Sequence, residues 1–553
     1  MRKIAKFNFT DFILWGSLLL VGGFHEYISC ALAAAMCIYL LVRIGKGEKL
    51  RLKKGLFSIA VCVICVAYGA TCLWAVDSGM ALVGFLKFLP LILYLFCLWQ
   101  EERAGQALVW LPYLGAAMAL VSAIGMQFQA TRSFFSVADR LAGFFQYPNT
   151  FAIFLLTCEL LLLKREKKTI LDVLTILILV AGILYTGSRT AFVVSLAANA
   201  AMIFLQVNKK TKWILAGGAL AMILAAVLLA QNENSIFHRY LSISLTESTF
   251  VGRILYFVDA LPLLLKYPFG MGFMGYYYVQ NSIQTGVYDV VYIHNDFLQL
   301  ILDVGLIPGG LLIAAIIRWL LQKEIPAADK IIVGALCLHS LFDFNLQFVG
   351  MFILLLTLMH QERDGEYRKI KHTIPLKAGA IAVIVVALYL GTALTLSHLE
   401  QHVLSDKLYP YNTQNKLTML EQASDLTEAN DLADEILKQN TAFFAPYSIK
   451  AKCAYAKGNF TEVIQYKRLV FEKRPFDYNE YDEYCKMLIN GIVLYEQAGD
   501  LNSAQFCQNE LVRVPQLLEK NRNRLSKLGS MIDDQPITEL APEIQEYMDA
   551  LGG

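Results

Sequence analysis

Charge is scarce in this chain. Asp, Glu, Lys and Arg make up 17% of its 553 residues, where a soluble globular protein carries about a quarter. That shortage excludes an ordinary soluble domain for most of the length. The formal net charge of +2 lacks the basic excess of a nucleic-acid binder, so nucleic acid is not an expected partner. The opening "MRKIAKFNFTDFILWGSLLL" has a basic start and an apolar run but no small-x-small cleavage site, which reads as an uncleaved first span. Also absent are a Walker loop, a Gly-x-Ser-x-Gly elbow, a Cys/His metal spacing and an Asp-rich outer loop for a divalent ion. No metal and no cofactor are expected.

Cysteine is not scarce, but its placement is plain. Eight of the eleven lie in apolar stretches, Cys62 and Cys65 of "CVIC" among them, where Cys packs as a small hydrophobe. Cys453, Cys485 and Cys507 remain, an odd number that sets up no disulfide framework.

What the chain has is apolar length. Hydrophobic residues make up 56% and the mean hydropathy is +0.49. Runs such as "LFSIAVCVICVAYGATCLWAV" suit a bilayer core of about 30 Å. The pattern predicts an all-α polytopic membrane protein with about thirteen transmembrane helices, the first centred near residue 18, one near 221 and the last near 387. Basic loops, among them "RIGKGEKLRLKK", "KREKK", "NKKTK" and "RDGEYRKIKH", fall on one side of a single alternation. The positive-inside rule puts that side and the N-terminus in the cytoplasm, and the C-terminus outside the cytoplasmic membrane. Residues 1–400 form the membrane domain, with residues 231–293 a large extracytoplasmic loop.

The acidic tail, residues 405–553, is different material. Ala, Leu, Ile and Tyr recur at helical spacing, "KGNF" and "AGD" mark helix-to-helix turns, and Pro475 closes one pair. This is how tetratricopeptide hairpins read, although the turn-to-turn spacing exceeds the usual repeat of about 34 residues. The expectation is a soluble α-solenoid of two or three hairpins with a possible protein partner. An unrelated helical bundle fits the same pattern.

Outward loops should be poor in arginine, yet Arg140, Arg189 and Arg253 fall there, each near a helix edge, and so does His294. In "TGSRTAF", Ser188 can cap a helix whose N-terminal N–H groups and dipole favour an anion, while Arg189 adds a fork that suits phosphate. An arginine snorkelling to lipid headgroups has the same sequence. In "STFVGRILYFVDALPLLLKYPFGMG", Ser248 or Thr249 can start an amphipathic helix carrying Arg253, ended by Pro268 and its glycines. "DRLAGFFQYPNTFA" carries Arg140 ahead of a helix beginning at Pro148. In "HNDFLQLILDVGLIPGG", Asp296 and Gln299 have capping-box spacing, and Asp296, Gln299 and Asp303 share one helix face that should look inward. His294 then stands just outside the helix, as a base or as a structural residue. "HSLFDFNLQF" repeats the theme with His339 and Asp343, which read as a structural polar network. Taken as a set, three arginines and a histidine on one side fit a diphosphate site with a base beside it.

In their order, "RLAGFFQYPNTFA", "YTGSRTAF", "GRILYF…YPFGMG" and "HNDFLQLILDVGLIPGG" resemble the O-antigen ligase and polymerase family of membrane glycosyltransferases, over residues 60–360 or so. The resemblance implies an enzyme that takes a glycan from an undecaprenyl-diphosphate carrier and joins it to an acceptor hydroxyl outside the cytoplasmic membrane. It implies Arg189 and Arg253, with Arg140 a further candidate, as diphosphate ligands and His294 as the base. Ser188, Asn295, Asp296 and Asp303 support them. The chain departs from the family at Asp303, where Glu is usual. A polymerase extending carrier-linked repeat units shares these motifs. A transporter or flippase is the reading from another class, but the ionisable groups sit at outer helix ends and no repeated halves appear.

Overall fold

In a computed structural model of the protein, residues 7–101, 105–205, 213, 217, 236–240, 244, 246–360, 366–370 and 372–552 are described. The all-α class holds. Among these residues, strands occur only as two short antiparallel pairs, Arg51–Lys54 with Glu366–Lys369 and Ser136–Val137 with Arg140–Leu141. Among the described residues, four helices are long and apolar enough to cross a membrane: Glu26–Gly45, Ser78–Gln100, Ser248–Lys266 and Ile374–His398. Eight shorter apolar helices accompany them, Phe9–Leu19 and Leu306–Leu321 among them. The span expected near residue 221 lies outside the described residues.

The chain divides into two compact units. The first comprises residues 1–70, 82–244 and 293–395. Its middle is the helix Pro148–Leu163, which buries every position except Leu161 and packs against Leu111–Gly125, Ile170–Tyr185 and Arg189–Phe204. A helix apolar on all sides belongs inside a bundle. Small residues let the neighbours come close. A Cβ on Gly115 would stand 2.7 Å from Cys158 Sγ, and one on Gly182 would stand 2.8 Å from Leu155 Cδ1. Val349–Met359 buries all eleven positions. The apolar stretch after His294 is broken: Asp296–Val304 ends at Gly305, and Leu306–Leu321 restarts from it. Gly305 has φ 96° and ψ 167°, a conformation open to glycine, so the polar stripe and the apolar span become separate helices.

The second unit comprises residues 71–81, 245–292 and 396–553. The tail thus shares a unit with two segments distant in sequence, a grouping no linear boundary near residue 400 expresses. Asn440 Nδ2 donates to Asp77 Oδ2 at 3.1 Å, and Gln414 Nε2 donates to Tyr278 Oη at 2.9 Å. Within the tail, Leu426–Gln439, Ala445–Ala456, Phe460–Lys473, Tyr478–Gln497 and Leu501–Arg524 each pack on the next. The turns fall where expected, at Gly458 (φ 69°) and Gly499 (φ 75°), and Asn459 and Asp500 then cap the following helices. Phe460, Val463, Leu488, Ile492 and Leu511 form the core. Buried Lys467 is held at 2.6 Å by both Glu480 and Glu483. The three tail cysteines are buried and unbridged, and burial pushes the Cys485 thiol up to about 12 and that of Cys507 to about 11. They are protonated and inert at neutral pH.

Candidate active site

The first unit assembles a polar chain from short-range chemistry. Gly187, at φ 60°, makes the turn ahead of Arg189–Phe204, and the expected cap is present: Ser188 Oγ accepts from Ala191 N–H at 3.4 Å. Arg189 is the first residue of that helix and is half-buried. Arg140, on its short strand pair, reaches the same turn: its Nε donates to Thr186 O at 2.8 Å. Its Nη2 donates to Asn149 Oδ1 at 2.7 Å, one residue past the proline that opens the central helix. Burial, then the nearby charge of Arg239, pushes the Arg140 guanidinium down to about 10, so it remains a cation at neutral pH. Tyr240 fastens the Arg239 segment down, its hydroxyl donating to Leu184 O at 2.8 Å.

Asn149 passes the chain onward. Its Nδ2 donates to Asp343 Oδ2 at 2.8 Å, and Tyr147 Oη and Phe344 N–H donate to Asp343 Oδ1 at 2.9 and 3.0 Å. His294 Nδ1 faces that Oδ1 at 3.5 Å, and the imidazole keeps 20% of its surface exposed above a carboxylate with none. Phe344 supports the ring edge-on, with centroids 5.0 Å apart. His294 has φ 54°, left-handed for a non-glycine residue, and its neighbours hold it there. Ile293 N–H donates to Gln299 Oε1 at 3.1 Å, Gln299 Nε2 donates to Asp303 Oδ1 at 2.9 Å, and Tyr68 Oη donates to Asp303 Oδ2 at 3.0 Å.

The inward polar stripe is as expected: Asp296, Gln299 and Asp303 are all buried. The capping box is not. Asn295 is the cap, its Oδ1 accepting from Leu298 N–H at 3.0 Å, because Asp296 is already helical and its carboxylate is taken by Leu346 N–H at 2.9 Å. Asp296 therefore holds the backbone at Leu346, Asp303 holds the side chains of Gln299 and Tyr68, and Asp343 is the acid facing the histidine. His339 keeps the structural role expected of it, buried and hydrogen-bonded at 2.9 Å to Asn345 Nδ2.

Arg253 lies in the second unit, half-buried on Ser248–Lys266. That helix starts at Ser248, as expected, and Glu247 caps it: the Glu247 carboxylate accepts from Phe250 N–H at 3.3 Å and from the Thr249 hydroxyl at 2.5 Å. Its end at Lys266, just before Pro268, is as expected.

Four residues of this arrangement were not expected there: Tyr147, Asn149, Arg239 and Asp343. For Arg239 a signal existed, since it too is an arginine in a loop expected to face outward. Asn149 sits inside "YPNTFA", but a neutral amide carries no pattern of its own. Among the described residues, no group of three or more His, Cys, Asp or Glu side chains is placed to hold a metal ion.

With this geometry in hand, residues 174–314 match the family model described as O-antigen ligase. The match takes in Ser188, Arg189, Arg253, His294, Asn295, Asp296 and Asp303, while Arg140, Asn149 and Asp343 lie outside it. The resemblance read from the motifs is thus met over that segment. No curated protein matches the chain.

Proposed function

We propose that this chain, whose residues 174–314 match the O-antigen ligase family model, transfers a glycan from an undecaprenyl-diphosphate carrier to an acceptor hydroxyl at the outer face of the cytoplasmic membrane. The family segment supports an O-antigen ligase-type role in polysaccharide synthesis. The observation that carries the finer reading is the run of contacts from the arginine-bearing turn, through Arg140, Asn149 and Asp343, to His294.

The Asp343 carboxylate, 3.5 Å from Nδ1, favours the His294 tautomer with its proton on that nitrogen, which leaves Nε2 as the lone pair that meets an acceptor. The acceptor O–H gives its proton to Nε2 as its oxygen forms a bond to the anomeric carbon. The bond from that carbon to the diphosphate oxygen breaks, and its electron pair leaves with undecaprenyl diphosphate. Attack opposite the leaving group inverts the centre. Arg189 and Arg253, with Arg140, neutralise the departing charge, so neither a second acid nor a metal is needed. Ser188 and Asn295 cap the two helices concerned, while Asp296 holds the Leu346 backbone and Asp303 holds the Gln299 side chain that fixes Ile293 beside the base.

Lysine keeps a positive charge but loses the two-pronged fork. Arg189→Lys and Arg253→Lys are each expected to lose transfer by a factor on the order of 10² while the protein still inserts. The assay uses purified protein in nanodiscs with carrier-linked glycan. Near-parent transfer by both variants would make these arginines headgroup anchors.

The same residues would serve a polymerase. A tail of stacked helical hairpins, read as a tetratricopeptide-like solenoid, favours a ligase, because it offers a surface for a separate acceptor or partner. In the topology that goes with this, the N-terminus is cytoplasmic and the tail is outside. The helix Ser248–Lys266 then lies outside the hydrocarbon despite its length, since its buried face packs with a segment ending in Asp533 and Asp534. A reporter active only after export works when fused after Glu400, and one active only in the cytoplasm does not. The opposite pair of results reverses the topology and removes the donor side from the arginines.

A further inference from the structure

We propose that the segment Arg524–Asp533, near the end of the tail, is a latch that positions Arg253 for the carrier diphosphate. The inference rests on the reading of Arg253 as a diphosphate ligand. All of its structural observations lie within the second unit.

The helix Ser248–Lys266 turns one face to the interior, and two described segments meet that face. The first is the 282–290 segment. Asp259 accepts from Thr285 N–H at 2.9 Å, from the Thr285 hydroxyl at 2.6 Å and from Tyr288 Oη at 3.0 Å. The second is the latch. Asp533 N–H donates to Ser248 Oγ at 2.9 Å, at the first residue of the helix. One turn on, Ile532 packs into a buried cluster with Val251, Leu255 and Tyr288. Contacts at 248, 251, 255 and 259 fall at helical spacing, so one stripe is held along twelve residues, 248–259. Arg253 lies between two of these fixed positions. Tyr256, packed against the same cluster, is within electrostatic reach of both Arg253 and Asp534.

The latch is also tied to the segment beside it. Ser526 N–H donates to Thr285 O at 2.9 Å, and Arg524 Nη2 donates to Ser282 O. Gly529 lies so close that a Cβ there would collide with Thr285 O and stand 2.9 Å from Gly286 Cα. A tail that served only to bind a partner would not need backbone this near. A ligand that must match a diphosphate is sensitive to small shifts of its mount, and the latch supplies a rigid one.

The test uses the full-length protein in nanodiscs and undecaprenyl diphosphate as the probe. Gly529→Val is expected to weaken binding by about tenfold or more and to speed hydrogen exchange across residues 248–260. Added to Arg253→Ala, it is expected to cause little further loss, because both act on one interaction. If Gly529→Val fails to accumulate, the pair Ser248→Ala with Ser526→Ala removes hydroxyl contacts without adding bulk and carries the same expectation. Normal binding by the latch variants beside weak binding by Arg253→Ala overturns the latch and leaves the donor reading standing. Full additivity of the two losses also overturns the latch, since it would then act elsewhere. Normal binding by Arg253→Ala removes the donor reading and the latch's purpose together.

Discussion

Replacing His294 with alanine lowers glycan transfer by a factor on the order of 10²–10⁴ and leaves undecaprenyl diphosphate binding largely intact. A sugar hydroxyl is a poor nucleophile, and its proton must leave as it attacks. His294 has the features of the group that takes it. It stands at the lip of the helix Asp296–Val304 with part of its ring exposed, so an acceptor can reach it. Its other edge meets a fully buried carboxylate. Its backbone is held in a left-handed conformation by a chain from Ile293 through Gln299 to Asp303. A histidine needed only for packing would not require an exposed edge. Donor binding is the discriminating measurement, because the diphosphate is assigned to arginines. Arg189→Ala and Arg253→Ala therefore lose both binding and transfer, whereas His294→Ala loses transfer alone. If His294→Ala transfers at close to the parent rate, His294 is structural and another group deprotonates the acceptor. If it loses donor binding as heavily as the arginine variants, its role is in the diphosphate seat.

What sequence could express here was local. The Ser188 cap, the Pro148 helix start, the inward stripe of Asp296, Gln299 and Asp303, and the turns at Gly458 and Gly499 all follow from residues within a few positions of one another. One cap went to the neighbour of the residue expected, Asn295 and not Asp296, because adjacent side chains compete for the same N–H groups. The break at Gly305 was hidden because a glycine in an apolar run reads equally as a small packing residue. The partner of the histidine was hidden more deeply. Asp343 lies 49 positions from His294, and nothing in "HSLFDFNLQF" distinguishes an acid that faces a base from one that satisfies a turn. Asn149 and Arg140 enter the same network from another 145 or more positions away. The tail's grouping with residues 71–81 and 245–292 is of the same kind: it rests on pairs such as Asn440 with Asp77 that no periodicity announces.

That hidden acid gives the second large effect. Asp343→Asn is expected to lower transfer by a factor on the order of 10²–10⁴ with donor binding retained. The substitution preserves size and leaves an oxygen to accept from one of the three donors now around the carboxylate, Tyr147 Oη, Asn149 Nδ2 and Phe344 N–H. What changes is the face presented to His294. A carboxylate 3.5 Å from Nδ1 favours the proton on that nitrogen, which leaves Nε2 unprotonated and able to take the acceptor's proton. An amide N–H turned toward Nδ1 instead favours the other tautomer, with the proton on Nε2 and no base where the acceptor arrives. The imidazolium formed during transfer also loses the negative charge that would stabilise it. Tyr147→Phe removes one hydrogen bond from the same carboxylate but keeps its charge, so a loss of about tenfold or less is expected. Measured together on purified protein, the three variants should rank His294→Ala and Asp343→Asn far below Tyr147→Phe, all with undecaprenyl diphosphate binding near that of the parent. Adding Asp343→Asn to His294→Ala should cost little more, since an acid that acts only through the histidine has nothing left to act on. Parent-level transfer by Asp343→Asn would reduce the carboxylate to a fastening for the turn at residues 343–345. Independent, multiplying losses in the double variant would place it in a role of its own.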